Sequence, residues 1–142
     1  MKVLSLDTRA GSLLVPVSMV AQVLASSNRR PYDHRQPYVS YEINWREYAM
    51  PLINSSEALG AATIADESYS RAVVLWPLKG CRQTDFFAFT STQAPKIIVV
   101  DDSAKLLPST MQKEIRYAAG VIQIESRLGI IPDLKNLAQD LF

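Results

Sequence analysis

The sequence predicts a mainly β fold whose strands are covered on both faces, as they are in closed or packed barrels. Between residues 39 and 44, apolar and polar side chains alternate with the period of a strand that buries one face. Three later segments, residues 72–78, 85–90 and 96–100, are apolar on both alternating sides. Alternation returns at residues 121–125 and the chain comes back over residues 128–131, which indicates a hairpin near the carboxyl end.

The composition predicts one globular domain spanning residues 1–142. A chain of 142 residues can bury roughly two thirds of its unfolded surface. Fifteen basic and 14 acidic residues leave a formal net charge of +1. The chain therefore lacks the clearly basic charge that a nucleic-acid-binding domain normally has. The single cysteine, Cys81, excludes an internal disulfide. Because the amino end has no signal-like segment and no run of roughly 20 residues is apolar, we expect a cytoplasmic protein without membrane insertion.

A short strand and a helix are predicted near the amino end. Residues 13–16 read as the strand, and residues 17–25 change to the spacing of a helix that Ser18 is placed to cap. Residues 26–37 are polar and contain two prolines, which predicts a surface loop.

A hairpin is predicted over residues 38–53, around the polar triplet Asn44-Trp45-Arg46. Pro51 cannot donate to a ladder, so we expect it at a sheet edge or a bulge. Residues 55–71 are rich in small and polar side chains and are expected to join two halves of the fold, with a helical turn at residues 59–62 and a solvated loop at residues 66–68.

The second half adds turns and a final helix to its strands. Residues 79–82 turn the first of the three apolar strands into the second, and residues 101–108 form a loop before a helical turn at residues 109–112, which has capping-box spacing. Asp133 can cap the last helix. Its apolar stripe consists of Leu134, Leu137, Ala138 and Leu141.

Asn44, Arg46 and Pro51 fall on a pattern in which a strand ends in Asn-x-Arg-Gly, followed by three residues and Pro-x-x-x-Leu. The hairpin thereby resembles the CheW-like adaptor domains of bacterial chemosensory arrays. The segment before residue 26 is similar to that family's Leu-Pro-x-x-x-Val-x-Glu-Val, with Gln22 where the family has glutamate. The resemblance covers approximately residues 10–137.

Trp45, directly before the arginine, and the segment Ile131-Pro132-Asp133-Leu134 resemble the ChpC-like branch of this family, which is associated with surface and twitching motility. The resemblance implies two small SH3-like five-stranded barrels that share a core, with short helices. It also implies a non-enzymatic adaptor that couples a methyl-accepting chemoreceptor to a CheA-like histidine kinase, without a cofactor, as a monomer or weak homo-oligomer.

The partner-binding residues that the resemblance implies are Asn44, Arg46, Glu47 and Gln22. In the family the glutamate at the Gln22 position is implicated in an ion pair with the hairpin arginine, and a glutamine can supply only a weaker neutral hydrogen bond. Glu47 replaces the family's glycine, which disfavours a positive φ there. Arg46 either braces residues 17–25 through carbonyls or Gln22, or belongs to a protein-binding surface.

Trp45 and Trp76 are expected to lie in the core rather than to act as interface hot spots. Enzymatic chemistry is not supported, because one histidine and one cysteine are too few for most metal sites or nucleophile–base pairs. His34 reads as a solvated loop residue and Cys81 as an unreactive thiol. The pair Asp101-Asp102 reads as a solvated strand end, although after a buried strand it could bind metal or accept a phosphoryl group.

Two rival functions remain. A small β-barrel could bind single-stranded nucleic acid or a small ligand through aromatic residues interleaved with basic ones. The residues that would do so are Tyr32, Tyr38, Tyr41, Arg29, Arg30 and Arg35. The near-neutral net charge weighs against nucleic acid. An enzyme would require Asp101, Asp102 and His34 to meet in one pocket.

Overall fold

The computed structural model describes residues 1–25, 29–64, 67–101, 104–108, 110, 114–124 and 127–142. The strands in this part of the chain are β1 (Lys2–Thr8), β2 (Gly11–Pro16), β3 (Val20–Ala25), β4 (Arg30–Pro31), β5 (Val39–Trp45), β6 (Tyr48–Ile53), β7 (Arg71–Leu75), β8 (Phe87–Ser91), β9 (Lys96–Val99), β10 (Lys105–Leu106), β11 (Ala118–Ile124) and β12 (Arg127–Pro132). Its α-helices are α1 (Ser55–Ala58) and α2 (Leu134–Leu141), and a 3-10 turn spans Val17–Met19. Neither α-helix has the length and apolar character needed to cross a membrane.

The strands form two sheets. The first has the order β10-β11-β12-β2-β1-β9 and the second the order β3-β7-β8-β6-β5-β4. Neighbouring strands are antiparallel except for the pairs β12–β2 and β6–β8, which are parallel. Each sheet contains five longer strands and one strand of two residues, β10 or β4. The predicted mainly β class with few helices is therefore confirmed.

Three apolar clusters hold the sheets together. The largest lies between the two sheets and is covered by α2, and its fully buried side chains are Leu6, Leu13, Val15, Ile53, Val73, Leu75, Phe87, Ile130 and Leu137. Each sheet also buries a cluster on its other face, around Val74 and Ala88 in the second sheet and around Val3 and Leu14 in the first. Since β7 and β8 contribute to clusters on both faces, they are apolar on both alternating sides, as predicted.

The third apolar segment, β9, differs from this prediction. Ile98 packs inward on the cluster of the first sheet, but Ile97 and Val99 are 64% and 67% exposed. The difference arises because β9 is the last strand of its sheet and, among the described strands, pairs only with β1, so its side chains have a neighbouring strand on one side only.

The predicted helix at residues 17–25 is wrong. Only the 3-10 turn Val17–Met19 is helical, and β3 then pairs antiparallel with β7. Ser18 lies inside this turn, whose N-cap position is Pro16, so it is not the capping residue. A β-bulge between Val20 and Gln22 shifts the register and breaks the two-residue period, so the apolar spacing imitates that of a helix.

The hairpin at residues 38–53 is confirmed as β5 and β6, which pair from Val39↔Ile53 to Trp45↔Tyr48. Pro51 was expected at an edge or bulge, but β6 lies between β8 and β5 inside the sheet. The ladder from β6 to β8 runs only through Leu52 and Ile53. Pro51 therefore lies just outside that ladder, where a missing N–H costs it no hydrogen bond.

The connection after β6 begins with α1, earlier than the helical turn expected at residues 59–62. Asn54 caps α1 by accepting a hydrogen bond from the Glu57 backbone N–H. Of the predicted solvated loop at residues 66–68, the structure describes residues 67 and 68. Glu67 is not solvated, because its side chain is mostly buried and pairs with Arg9 at 2.7 Å. This hydrogen bond lowers the pKa of Glu67. Residue 66 lies outside the described residues.

Residues 54–70 lead from β6 to β7 within the second sheet, so the chain does not pass between the sheets here. The segment nevertheless ties the sheets together through contacts. Arg9 lies in the turn between β1 and β2, and its backbone N–H donates to Ser56 Oγ at 3.0 Å. Its side chain reaches Glu67. The extent of the single domain, residues 1–142, stays a prediction.

The carboxyl end follows the prediction closely. β11 and β12 form the antiparallel hairpin, and Asp133 caps α2 by accepting a hydrogen bond from the Asn136 N–H. Leu137, Ala138 and Leu141 are buried, and Leu134 packs against the cluster between the two sheets. Most of the predicted helical turn at residues 109–112 lies outside the described residues. The predicted loops at 26–37 and 101–108 contain the two-residue strands β4 and β10.

Candidate protein-interaction site

A two-residue turn closes the hairpin of β5 and β6. Arg46 and Glu47 occupy it with φ values of 48° and 69°, between the paired residues Trp45 and Tyr48. Two-residue hairpin turns of this kind need a positive φ at both positions, because their twist then matches that of the strands. The expectation that Glu47 avoids a positive φ is wrong: strand pairing imposes the angle although a left-handed conformation costs a non-glycine residue roughly 1–2 kcal/mol.

Replacing Glu47 by glycine is expected to raise the free energy of unfolding by about 1 kcal/mol, because glycine adopts the positive φ without strain. Denaturant unfolding of the full chain measures the change. Glu47→Ala is the matched control, since it removes the same carboxylate but keeps a Cβ at the strained position. Equal stability of the two variants would contradict this reading of the turn.

An aromatic cluster lies beside this turn and consists of Trp45, Tyr48, Trp76 and Phe86. The ring of Phe86 is 4.6 Å from that of Tyr48, 5.5 Å from that of Trp45 and 6.1 Å from that of Trp76. Trp45 and Phe86 are buried, whereas Tyr48 and Trp76 are partly exposed. The cluster thus has a buried base and an open surface.

Gln22 and Arg46 meet on the ring of Trp45. The Trp45 indole Nε1 donates to Gln22 Oε1 at 2.8 Å, and the Arg46 guanidinium carbon lies 4.6 Å from the indole ring centroid. The oxygen of Gln22 thereby serves the indole. Among the described residues, Arg46 donates no hydrogen bond to residues 17–25, so the bracing role that was left open for it is not observed. Arg46 itself is exposed.

Asn44 is brought into a different set of contacts. Its Oδ1 accepts a hydrogen bond from Arg30 Nη2 at 3.0 Å, and Arg30 also pairs with Glu42 at 2.6 Å. Because successive residues of a strand point to opposite faces, Asn44 and Trp45 project to opposite sides of β5. The structure therefore groups Gln22 and Arg46, places Glu47 at the turn beside them and separates Asn44 from them.

Trp76 was predicted to lie in the core, and for this residue of the surface the prediction is wrong. Trp45 is in the core as expected, at 7% exposed, but Trp76 is 43% exposed. Pro77 follows it directly, and β7 ends at Leu75. A proline that ends a strand puts the preceding side chain at the strand's rim, so Pro77 was the available signal.

The other candidate residues have structural contacts. His34 is half-buried rather than solvated: its Nδ1 accepts from the Gln36 N–H, and its Nε2 lies 3.0 Å from the Leu141 carbonyl oxygen. Cys81 is a partly buried free thiol beside the cluster between the two sheets. Asp101 is exposed and Asp102 lies outside the described residues. Within the described ranges, His, Cys, Asp and Glu side chains form no group of three that could hold a metal ion.

The residues of the nucleic-acid alternative do not form one exposed surface. Tyr38 is buried and its hydroxyl lies 2.8 Å from that of Tyr117. Arg35 donates to the Asp140 carbonyl oxygen at 2.8 Å. Arg30 is held by Glu42. These residues therefore do not form the stripe of alternating aromatic and basic side chains that would bind single-stranded nucleic acid.

Comparison with known proteins agrees with this architecture. The CheW-like domain family matches residues 2–142. The crystal structure of the scaffolding protein TtCheW from Thermoanaerobacter tengcongensis has the same fold, with a TM-score of 0.73 and 15% sequence identity over 94% of this chain and 84% of that chain. A search of curated protein sequences found no match.

The family match extends over almost every residue, and the strand arrangement agrees with it. CheW-like proteins are non-enzymatic scaffolds of chemosensory signalling. The chain belongs to the CheW-like domain family and is a non-enzymatic chemosensory scaffold.

Proposed function

We propose that this scaffold couples a methyl-accepting chemoreceptor to a CheA-like histidine kinase in the cytoplasm, without a cofactor, and acts as a monomer or weak homo-oligomer. The observation that carries the proposal is the aromatic cluster, whose partly exposed rings, Tyr48 and Trp76, rest on the buried rings of Trp45 and Phe86. Tryptophan, tyrosine and arginine are the residues that most often dominate protein interfaces, and this surface combines all three.

The contacts of Gln22, Arg46, Glu47 and Asn44 support a separate part for each in the proposed partner binding. Gln22 holds the indole of Trp45 in place, and the stacked guanidinium of Arg46 keeps its in-plane N–H groups available for a partner's carboxylate or carbonyl. Glu47 adds a carboxylate at the turn. For Asn44 we propose a partner contact on the other side of β5, where its Oδ1 accepts a hydrogen bond from Arg30.

The neighbouring strand β3 supports a docking role. It ends the strand order of the second sheet, and an edge strand offers backbone groups for pairing. Its Val23 is exposed, and its Gln22 contacts Trp45. A partner segment that covers Trp76 could therefore extend over this edge.

Two departures from the family pattern bear on how many partners are bound. Gln22 accepts a neutral hydrogen bond from the Trp45 indole N–H where the family has an ion pair, and Glu47 stands where it has glycine. Together with Trp45 and the segment Ile131-Pro132-Asp133-Leu134, these departures support a second hypothesis, a divergent ChpC-like accessory adaptor of a pilus-driven or surface-sensing pathway that keeps only one partner. Binding to one partner alone would favour this hypothesis over the coupling role.

Direct binding tests the proposal. We would measure the affinity of the full chain for the cytoplasmic tip of a cognate receptor and for the cognate kinase by calorimetry. Trp76→Ala is expected to weaken binding about thirtyfold, because truncating a hot-spot tryptophan costs about 2 kcal/mol. Tyr32→Ala is the matched control, since Tyr32 is similarly exposed but contacts His34 instead of the cluster, and it should bind normally.

If the unmodified chain binds neither the receptor tip nor the kinase, the coupling role is rejected. Equal binding by the Trp76→Ala and unmodified chains would show that a different surface makes the contact.

A further inference from the structure

A cavity of about 260 Å³ opens on the second sheet, at the end of β5 away from the hairpin turn. β5 and β6 form one wall with Tyr41 and Leu52, and residues of the segment after α1, including Ile64 and Tyr69, form another. The aromatic cluster lies at the opposite end of β5, and the four residue steps from Tyr41 to Trp45 span about 14 Å of strand. The cavity is therefore separate from the proposed partner surface.

Arg29 enters this cavity between two tyrosine rings. Its guanidinium carbon lies 4.1 Å from the ring centroid of Tyr41 and 5.5 Å from that of Tyr69. Burial raises the pKa of the Tyr69 hydroxyl, and the charge of Arg29 and its hydrogen bond to Tyr69 counteract part of that rise. The two aromatic contacts hold the half-buried guanidinium between the rings.

The positive charge of Arg29 is not balanced by a contact with a carboxylate among the described residues, which include two acids that line the same cavity. Glu67 is occupied by Arg9, Asn54 and Ser56. Glu57 accepts a hydrogen bond from Thr63 at 3.0 Å. A guanidinium has five N–H donors in a planar fork that matches a carboxylate, and stacking on its faces leaves the edges of the fork accessible.

We propose that this cavity binds a small organic monocarboxylate, with the carboxylate paired to Arg29 and an apolar body against Leu52 and Ile64. The size suits a ligand smaller than a typical drug molecule, since pockets for the latter measure roughly 300–1,000 Å³. Glu57 and Glu67 place negative charge on the same cavity, which disfavours phosphates and polyanions by repulsion. The site therefore favours a ligand with a single negative charge, which Arg29 compensates.

The test titrates the full-length, ¹⁵N-labelled chain with benzoate, with benzyl alcohol as a neutral probe of the same shape, and with inorganic phosphate. Benzoate is expected to shift the backbone amide signals of Tyr41, Leu52 and Tyr69 in a saturable way, and the other two probes to shift them little. Arg29→Gln should weaken benzoate binding by about tenfold or more, because hydrogen bonds to a charged group contribute roughly 1.5–3 kcal/mol.

Arg35→Gln is the matched control, because Arg35 lies outside the cavity and contacts the end of α2. It should bind benzoate like the unmodified chain. Glu57→Gln gives a second reading with the opposite sign, since removing a negative charge from the cavity should tighten benzoate binding severalfold.

The proposal is overturned if benzoate causes no saturable shift at these amides, if phosphate or benzyl alcohol binds equally well, or if Arg29→Gln and Glu57→Gln both leave benzoate affinity unchanged. Because receptor and kinase are absent from this experiment, its outcome is independent of the adaptor role.

Discussion

Replacing Phe87 by alanine is expected to lower the free energy of unfolding by about 3–5 kcal/mol. Phe87 is completely buried in the cluster between the two sheets, and its ring meets that of Phe89 edge-on at 5.6 Å. Both sheets and α2 pack around this cluster, so the cavity left by the phenyl ring would be lined from several sides and could not close by moving one element. Equilibrium unfolding in guanidinium chloride measures the loss.

Phe142→Ala is the matched control for this substitution. Its ring lies 6.4 Å from that of Phe87, but it is 46% exposed at the end of the chain. The same change in side chain should therefore cost much less stability. Similar losses in the two variants would show that the space between the sheets is not the principal core.

Replacing Trp45 by alanine is expected to cost a similar amount, about 3–5 kcal/mol. Trp45 belongs to the buried cluster of the second sheet, and its ring packs against those of Phe86 and Trp76 at 5.5 and 5.9 Å. The substitution also removes the indole N–H that donates a hydrogen bond to Gln22 Oε1. Denaturant unfolding followed by far-ultraviolet circular dichroism measures the effect without depending on tryptophan fluorescence.

Trp76→Ala is the control, because it removes the same side chain from the exposed part of the same cluster. We expect it to reduce stability far less than Trp45→Ala while weakening partner binding. If Trp76→Ala destabilised the fold as strongly as Trp45→Ala, Trp76 would be a core residue and the open surface assigned to the cluster would be wrong.

Together, the two tryptophans indicate how the proposed surface is built. The buried one supports the exposed one and also carries the guanidinium of Arg46, so the surface is formed before any partner arrives. A preformed surface loses little conformational entropy on binding, which favours affinity. The neutral hydrogen bond of Gln22 positions the indole without engaging Arg46, whose charge then remains directed to solvent.

The cavity at Arg29 shows why the near-neutral net charge conveys little about individual sites. Most of the charged residues first considered for ligand binding are satisfied within the fold: Arg30 by Glu42 and Arg35 by a carbonyl of α2. Arg29 is held by aromatic faces, which neutralise no charge. The sequence places these three arginines in one polar segment, and only their packing distinguishes them.

The sequence by itself determined the elements whose signals are local. The hairpin of β5 and β6, the terminal hairpin and the Asp133 cap of α2 follow from alternation and capping, which depend on residues a few positions apart. The motif around Asn44 and Arg46 also indicated the family, because it is contained in one short segment.

Only the tertiary structure decided features that depend on partners distant in the chain. β3 is a strand because β7 lies beside it, and β9 exposes Ile97 and Val99 because it is the edge strand of its sheet. Glu47 takes a positive φ because the paired strands require it, and Glu67 is paired because Arg9 reaches it from the other sheet. Burial and pairing across a sheet are set by where whole strands pack, and local periodicity carries no record of that placement.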